Sequence, residues 1–120
     1  MDENSVARVF FDSYTRALRA RDAGAVASHY VVPCLIEFPD QAIAVSDARQ
    51  TEEFFASAFA QYQDVTATDA VVTVVAETAH SIWADVSWDH HGGAPDERNM
   101  YQLARTAAGW KIAVLTPLPN

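Results

Sequence analysis

The sequence predicts an α+β domain in which a curved antiparallel sheet is covered on one side by helices. Three observations carry this. Residues 5–21 and 46–62 repeat apolar side chains at steps of three and four, the period of a helix with one buried face. Everything after Asp64 reads as strand, in four runs separated by hairpin-length connections. The chain has 120 residues, enough for one core without staples and too few for two. Helices first and a meander afterwards is the order in which helices cover one face of a sheet. One domain over residues 1–120 is therefore expected.

In the first helix, Ser5 to about Arg21, the stripe is Val6, Val9, Phe10, Tyr14, Ala17 and Leu18. A second, shorter helix starts from Asp22, a good N-cap, and turns Ala23, Val26, Ala27 and Tyr30 inward; Pro33 forbids its continuation. Val31 to Phe38 is β-branched and apolar, a strand that stops at Pro39-Asp40, with Cys34, Ile36 and Phe38 on one face and Leu35 and Glu37 on the other. The third helix is opened by Ser46 or Asp47 and carries Thr51, Phe54, Phe55, Ala58, Phe59 and Tyr62. Strands follow at 65–77, 80–91, 97–107 and 110–117, and their short separators predict antiparallel neighbours.

Sixteen acids against eight Lys plus Arg leave a formal net charge of −8, which disfavours nucleic acid and anionic membrane surfaces as partners. Arg8, Arg16, Arg19 and Arg21 gather on the first helix, but Asp2, Glu3, Asp12 and Asp22 are interleaved with them, so this reads as a solvated face of mixed charge. Cys34 is the only cysteine, which excludes an intrachain disulfide and a cysteine-based structural zinc site. The opening Met1-Asp2-Glu3-Asn4 is acidic where a signal peptide is basic, and no apolar run approaches membrane-spanning length, so a cytoplasmic location is expected.

The order helix, helix, strand, helix, then four long strands ending in Tyr101-Gln102-Leu103-Ala104-Arg105-Thr106-Ala107-Ala108-Gly109-Trp110-Lys111-Ile112, resembles the NTF2-like superfamily, in its SnoaL-like and ketosteroid-isomerase-like branches. The resemblance covers nearly the whole chain, and its specificity lies in the order of the segments. It implies a cone-shaped fold, a curved mixed or antiparallel sheet with three helices packed on its concave side around an apolar pocket. In the first half, Tyr14, Arg21-Asp22, Glu37-Phe38-Pro39 and Glu53-Phe54-Phe55 fall at the spacing of ketosteroid isomerase. The resemblance then makes Tyr14 the oxyanion-hole tyrosine and puts Phe38 where the general-base aspartate belongs. The second oxyanion donor falls near Asn99 or Tyr101. Phe38 cannot accept a proton, so the family's enolisation chemistry lacks its base at that position. The resemblance also implies a carboxylic acid kept neutral by an apolar site, and no matching acid stands here.

Each candidate also has a bland reading. Tyr14 on an apolar stripe is equally a core tyrosine whose hydroxyl has found a partner. Asp40 is a loop acid able to act as a base, and beside Pro39 it is also a turn former. Trp88 and His90 share a strand face with Ala84 and Val86, which makes Trp88 a pocket wall or core packing, and His90 an acid or base at the rim or an exposed side chain beside Gly92-Gly93. His90 and His91 point to opposite faces, no helical histidine pair occurs, and no metal site is expected. Cys34 is read as inert packing. Trp83 lies on the outer face with Asp85, Ser87 and Asp89, and an aromatic there predicts a homodimer through the outer sheet face.

Two functions follow. The first is a cofactor-free isomerase, cyclase or lyase acting on an apolar carbonyl or cyclic small molecule by acid-base chemistry. Tyr14 would donate to a developing oxygen charge with help from Asn99 or Tyr101, Asp40 or His90 would move the proton, and Tyr30, Phe38, Phe54, Phe55 and Trp88 would hold the ring system. The second, favoured by the missing base, is a non-catalytic binding or dimerisation module on the same scaffold.

Overall fold

The computed structural model describes residues 4–38, 41–62, 64–92 and 95–119, and of residues 4, 5, 38, 41, 61 and 62 the backbone alone. Helices α1 (Asn4–Arg19) and α2 (Ala23–Ala27) lead into strands β1 (Tyr30–Phe38) and β2 (Gln41–Val45). Helix α3 (Ala48–Ala58) runs on into a 3-10 turn (Phe59–Tyr62), and β3 (Ala67–Glu77), β4 (Ser81–His91), β5 (Glu97–Thr106) and β6 (Gly109–Pro117) complete the chain. The strands form one six-stranded sheet in the order β2-β1-β6-β5-β4-β3, open at both ends, with the helices packed on one face. This is the expected α+β architecture.

The sheet is mixed. The meander β3-β4-β5-β6 and the β1-β2 hairpin are antiparallel, while β1 runs parallel to β6. Tyr30 pairs with Ile112 and Leu35 with Val114, and the register slips between them, where Pro33 has no N–H to give the ladder. Further slips at Val74/Ala76 in β3 and at Ala113 in β6, opposite Gln102/Leu103, are bulges that bend their strands and help curve the sheet. Strand β2 was not anticipated: Gln41-Ala42-Ile43-Ala44-Val45 is five residues long and alternates weakly, and its pairing with β1 is what makes it a strand.

Helix α1 is rotated from the expected stripe. Its buried residues are Ala7, Phe11, Tyr14 and Ala17, while Val6 is at the surface and Val9 is 68% exposed. The buried face thus runs through Ala7 and Phe11, and Phe10 and Leu18 pack half-buried at its edge, so two aromatic rings leave water while the two valines stay in it. Helix α3 starts as its sequence predicts. Asp47 accepts from Gln50 N and Gln50 reaches back to the Asp47 backbone, closing a capping box, and Thr51 and Phe55 face inward.

Strand β4 alternates cleanly, with Ile82, Ala84, Val86 and Trp88 buried toward the helices. Opposite it on β5, Ala84 faces Tyr101, Val86 faces Asn99 and Trp88 faces Glu97. At the end of β4, Gly92 takes φ +108°, and a Cβ there would lie 2.6 Å from the Asp64 carbonyl oxygen, so the turn admits only glycine. That turn is closed by Thr66 N donating to the His91 carbonyl at 2.7 Å.

Candidate functional site

Between the concave face of the sheet, the C-terminal half of α1 and the α3/3-10 segment lies a cavity of about 990 Å³. Of the residues singled out from the sequence, Tyr14, Phe54, Phe55, Trp88, His90, Asn99 and Tyr101 line it. Tyr30 lies behind Tyr14, buried and in hydrogen-bond contact with it. Asp40 and the Phe38 side chain lie outside the described residues.

The deep wall is built of neutral hydrogen-bonding groups. The Tyr14 and Tyr30 hydroxyls are 2.6 Å apart. Trp88 Nε1–H donates to the Tyr101 hydroxyl oxygen at 3.1 Å, and Asn99 Nδ2–H donates to the same oxygen at 3.2 Å. The rings touch as well, with Tyr14 centred 6.0 Å from Trp88 and 6.2 Å from Tyr101. Both Asn99 and Tyr101 point inward, as residues two apart on a strand must.

Burial pushes all three phenols above their ordinary range. At Tyr101 the hydrogen bonds from Asn99 and Trp88 pull the other way, and the Glu97 charge adds to the rise at both Tyr14 and Tyr101. These groups therefore stay protonated. The N–H groups of Trp88 and Asn99 thus converge on the Tyr101 hydroxyl oxygen, with the Tyr14 hydroxyl also interacting with it.

Nearer the rim, His90 and Glu97 form an imidazole–carboxylate pair. Nε2 lies 3.0 Å from Glu97 Oε1, and a carboxylate only accepts, so Nε2 carries the proton. Nδ1 lies 3.1 Å from Thr68 Oγ1, whose hydroxyl then donates to it. The His90 ring stacks parallel to Trp88, with planes 3° apart and centroids 6.5 Å apart. Thr68, His90 and Glu97 thus make one chain across β3, β4 and β5.

Glu97 was not singled out from the sequence, although counting back by two from Asn99 and Tyr101 reaches it. His91, the neighbour of His90, lies on the outer face and pairs with Asp69 at 2.8 Å. Among the described residues no group of three or more His, Cys, Asp or Glu could hold a metal ion. Cys34 is buried, which raises its pKa and suppresses the thiolate.

A second pair sits next to the Tyr14–Tyr30 contact but outside the cavity. His29 Nδ1–H donates to the Ala25 carbonyl at 2.7 Å, which leaves Nε2 to accept from Ser13 Oγ at 2.9 Å. Residues 13 and 14 of α1 thereby grip residues 29 and 30, fixing the helix against the start of β1.

With this geometry in place, comparisons place the chain among known proteins. Residues 2–120 match the family described as NTF2-like protein (DUF6841). No curated protein matches the chain. Among solved structures, an NTF-2 like protein of unknown function from Shewanella oneidensis MR-1 superposes with TM-score 0.80 at 8% identity, covering 97% of this chain and 98% of that one. A ketosteroid isomerase-like protein from Erwinia carotovora atroseptica superposes with TM-score 0.70 at 17% identity, covering 100% of both chains. At these identities the likeness is one of fold. No helix among the described residues is long and apolar enough to cross a membrane. The chain belongs to this NTF2-like family.

Proposed function

Taking an NTF2-like chain as the premise, we propose that the protein takes an apolar cyclic or carbonyl-bearing small molecule into the cavity and moves a proton on it without a cofactor. The observation that carries this reading is the meeting of a proton-accepting chain, Thr68–His90–Glu97, with a set of buried neutral donors, Tyr14, Tyr101 and Asn99, on one cavity wall. Glu97 takes the role left empty by Phe38. Held by His90 Nε2–H, its carboxylate accepts the proton from the carbon beside the ligand carbonyl. The electron pair moves onto the carbonyl oxygen, where the Tyr101 O–H, with Tyr14 behind it, meets the developing charge. Return of the proton to the same carbon is simple exchange, its delivery to a conjugated neighbouring carbon completes an isomerisation, and loss of a leaving group instead gives an elimination.

The test is hydrogen–deuterium exchange beside the carbonyl of an aromatic ketone, chosen by thermal shift and followed by proton NMR in D2O. Exchange is expected above the buffer rate, and Glu97→Gln is expected to lower it at least about 100-fold, the scale of a lost general base. Ketones that bind but exchange at the buffer rate would leave a binding module.

A second proposal concerns the outer sheet face. Trp83 is 37% exposed there, and Val71 and Val75 on β3 are also exposed. Such a patch is covered economically by the same patch on a second copy, giving a homodimer.

A further inference from the structure

Resting on the cavity reading above, we infer that the ligand presents a hydrogen-bond donor, O–H or N–H, to the side-chain oxygen of Asn99, which makes Asn99 the residue that selects it. Asn99 is 9% exposed and lines the cavity. A carboxamide offers N–H donors on one side and an oxygen acceptor on the other. Here an N–H is committed, Nδ2 donating to the Tyr101 hydroxyl oxygen at 3.2 Å, and among the described residues nothing donates to Oδ1. The other polar groups of this wall are matched to one another: Trp88 to Tyr101, Tyr14 to Tyr30, and His90 to Thr68 and Glu97.

The surroundings of Asn99 supply no donor for that oxygen. Val86 stands across from it on β4 and Pro117 on β6, and neither side chain carries a polar group. Its inward neighbours along β5 are Glu97, whose carboxylate only accepts, and Tyr101, which already receives the amide N–H. Nor is the oxygen sealed away. Among the described residues, Thr51 Oγ1 is the one side-chain oxygen or nitrogen both unpartnered and closed off from solvent. Asn99 Oδ1 therefore keeps open surface, and the cavity that Asn99 lines is what it faces. A ligand that fills the cavity takes water from this oxygen, and one that brings no donor leaves a buried acceptor unmatched. Ligands of equal shape are thus sorted by what they carry at this point. An alcohol, phenol or amide is admitted, while an ether, or a carbonyl compound with no donor nearby, is penalised. Because Asn99 stands between Glu97 and Tyr101 on the strand, the donor belongs close to the ligand carbonyl.

Two matched pairs test this by isothermal titration: 2-naphthol against 2-methoxynaphthalene, and 2-naphthamide against 2-acetonaphthone. The members of each pair differ little in shape and outright in the donor. In at least one pair the donor-bearing member is expected to bind about tenfold tighter, and the pair showing the larger margin tells whether the site takes O–H or N–H. Asn99→Leu, similar in size, and Asn99→Ala, each checked for folding by circular dichroism, are expected to lose that margin. The ratio within a pair cancels any effect of the substitution common to both members. Equal binding within both pairs by the unaltered protein, or a margin that persists without the Asn99 amide, overturns the assignment and leaves the cavity reading standing. Binding of none of the probes at millimolar concentration overturns both.

Discussion

Strand β4 presents the same residue types to two different worlds. Trp88 is buried on its inner face, donates its N–H to Tyr101 and stacks on His90, whereas Trp83, on the outer face, is 37% exposed. His90 is held between Thr68 and Glu97 at the cavity, while the adjacent His91 sits in water between Asp69 and Asp89. Chemistry here is set by the parity of the position more than by residue type. One step along a strand exchanges a dry, hydrogen-bonded setting for a solvated one.

The largest test of that contrast is the tryptophan pair. Trp88→Ala removes a buried ring and its N–H contact and is expected to lower unfolding free energy by about 3–5 kcal/mol. Trp83→Ala is expected to stay within about 0.5 kcal/mol for the monomer, while shifting the sedimentation mass from dimer toward monomer. Urea unfolding and analytical ultracentrifugation read the two effects. Equal losses of stability would erase the distinction between the faces, and a monomeric mass for the unaltered protein would remove the dimer.

Tyr101→Phe comes next. It leaves Trp88 Nε1–H and Asn99 Nδ2–H with no acceptor in a buried place, for an expected loss of about 1–3 kcal/mol in urea unfolding. The ketone exchange rate is expected to fall with it. A variant as stable as the parent would show that the deep wall is not a satisfied network.

The smallest effects are titrations. The Asp69 hydrogen bond, with the Asp89 charge behind it, raises the His91 pKa. Its contribution to stability is full below the ordinary value of 6.5 and fades as pH rises through the folded value. Burial lowers that of His29, against the hydrogen bond to the Ala25 carbonyl, which raises it, and with the Lys111 charge adding to the fall. Its contribution is full above 6.5 and is lost as pH falls, because the unfolded chain binds a proton that the folded one refuses. Imidazole C–H signals in NMR are expected to show His91 with a midpoint above 6.5 and His29 with one below it; the reverse order would contradict both environments.

The fold was legible where periodicity was strong. The alternation of β4 and the capping residues of α3 needed no tertiary information. It was less legible on α1, where Val6 and Val9 competed with Ala7 and Phe11 for one face and only the sheet opposite decides between them. Strand β2 was too short to declare itself without β1. For the site, Tyr14, Trp88, His90, Asn99 and Tyr101 followed from strand parity and the family resemblance. Glu97 obeys the same parity but was passed over, because a search for a base near Phe38 looks along β1 and not across the sheet. That Arg16, Arg19 and Arg21 line the cavity was hidden for another reason: Asp12 and Asp22 flank them in sequence, and which of these charges reach the cavity is decided by the packing of α1 on the sheet.

The placing of β6 between β1 and β5 bears on how the molecule is made. As the chain leaves the ribosome, the β1-β2 hairpin and the β3-β4-β5 meander can form early, but no strand pairing joins them until β6 has emerged. Until then each half presents a raw border of unpaired amides to its surroundings. The two pieces are thus stitched into one sheet by a single strand, the last of the six to be made.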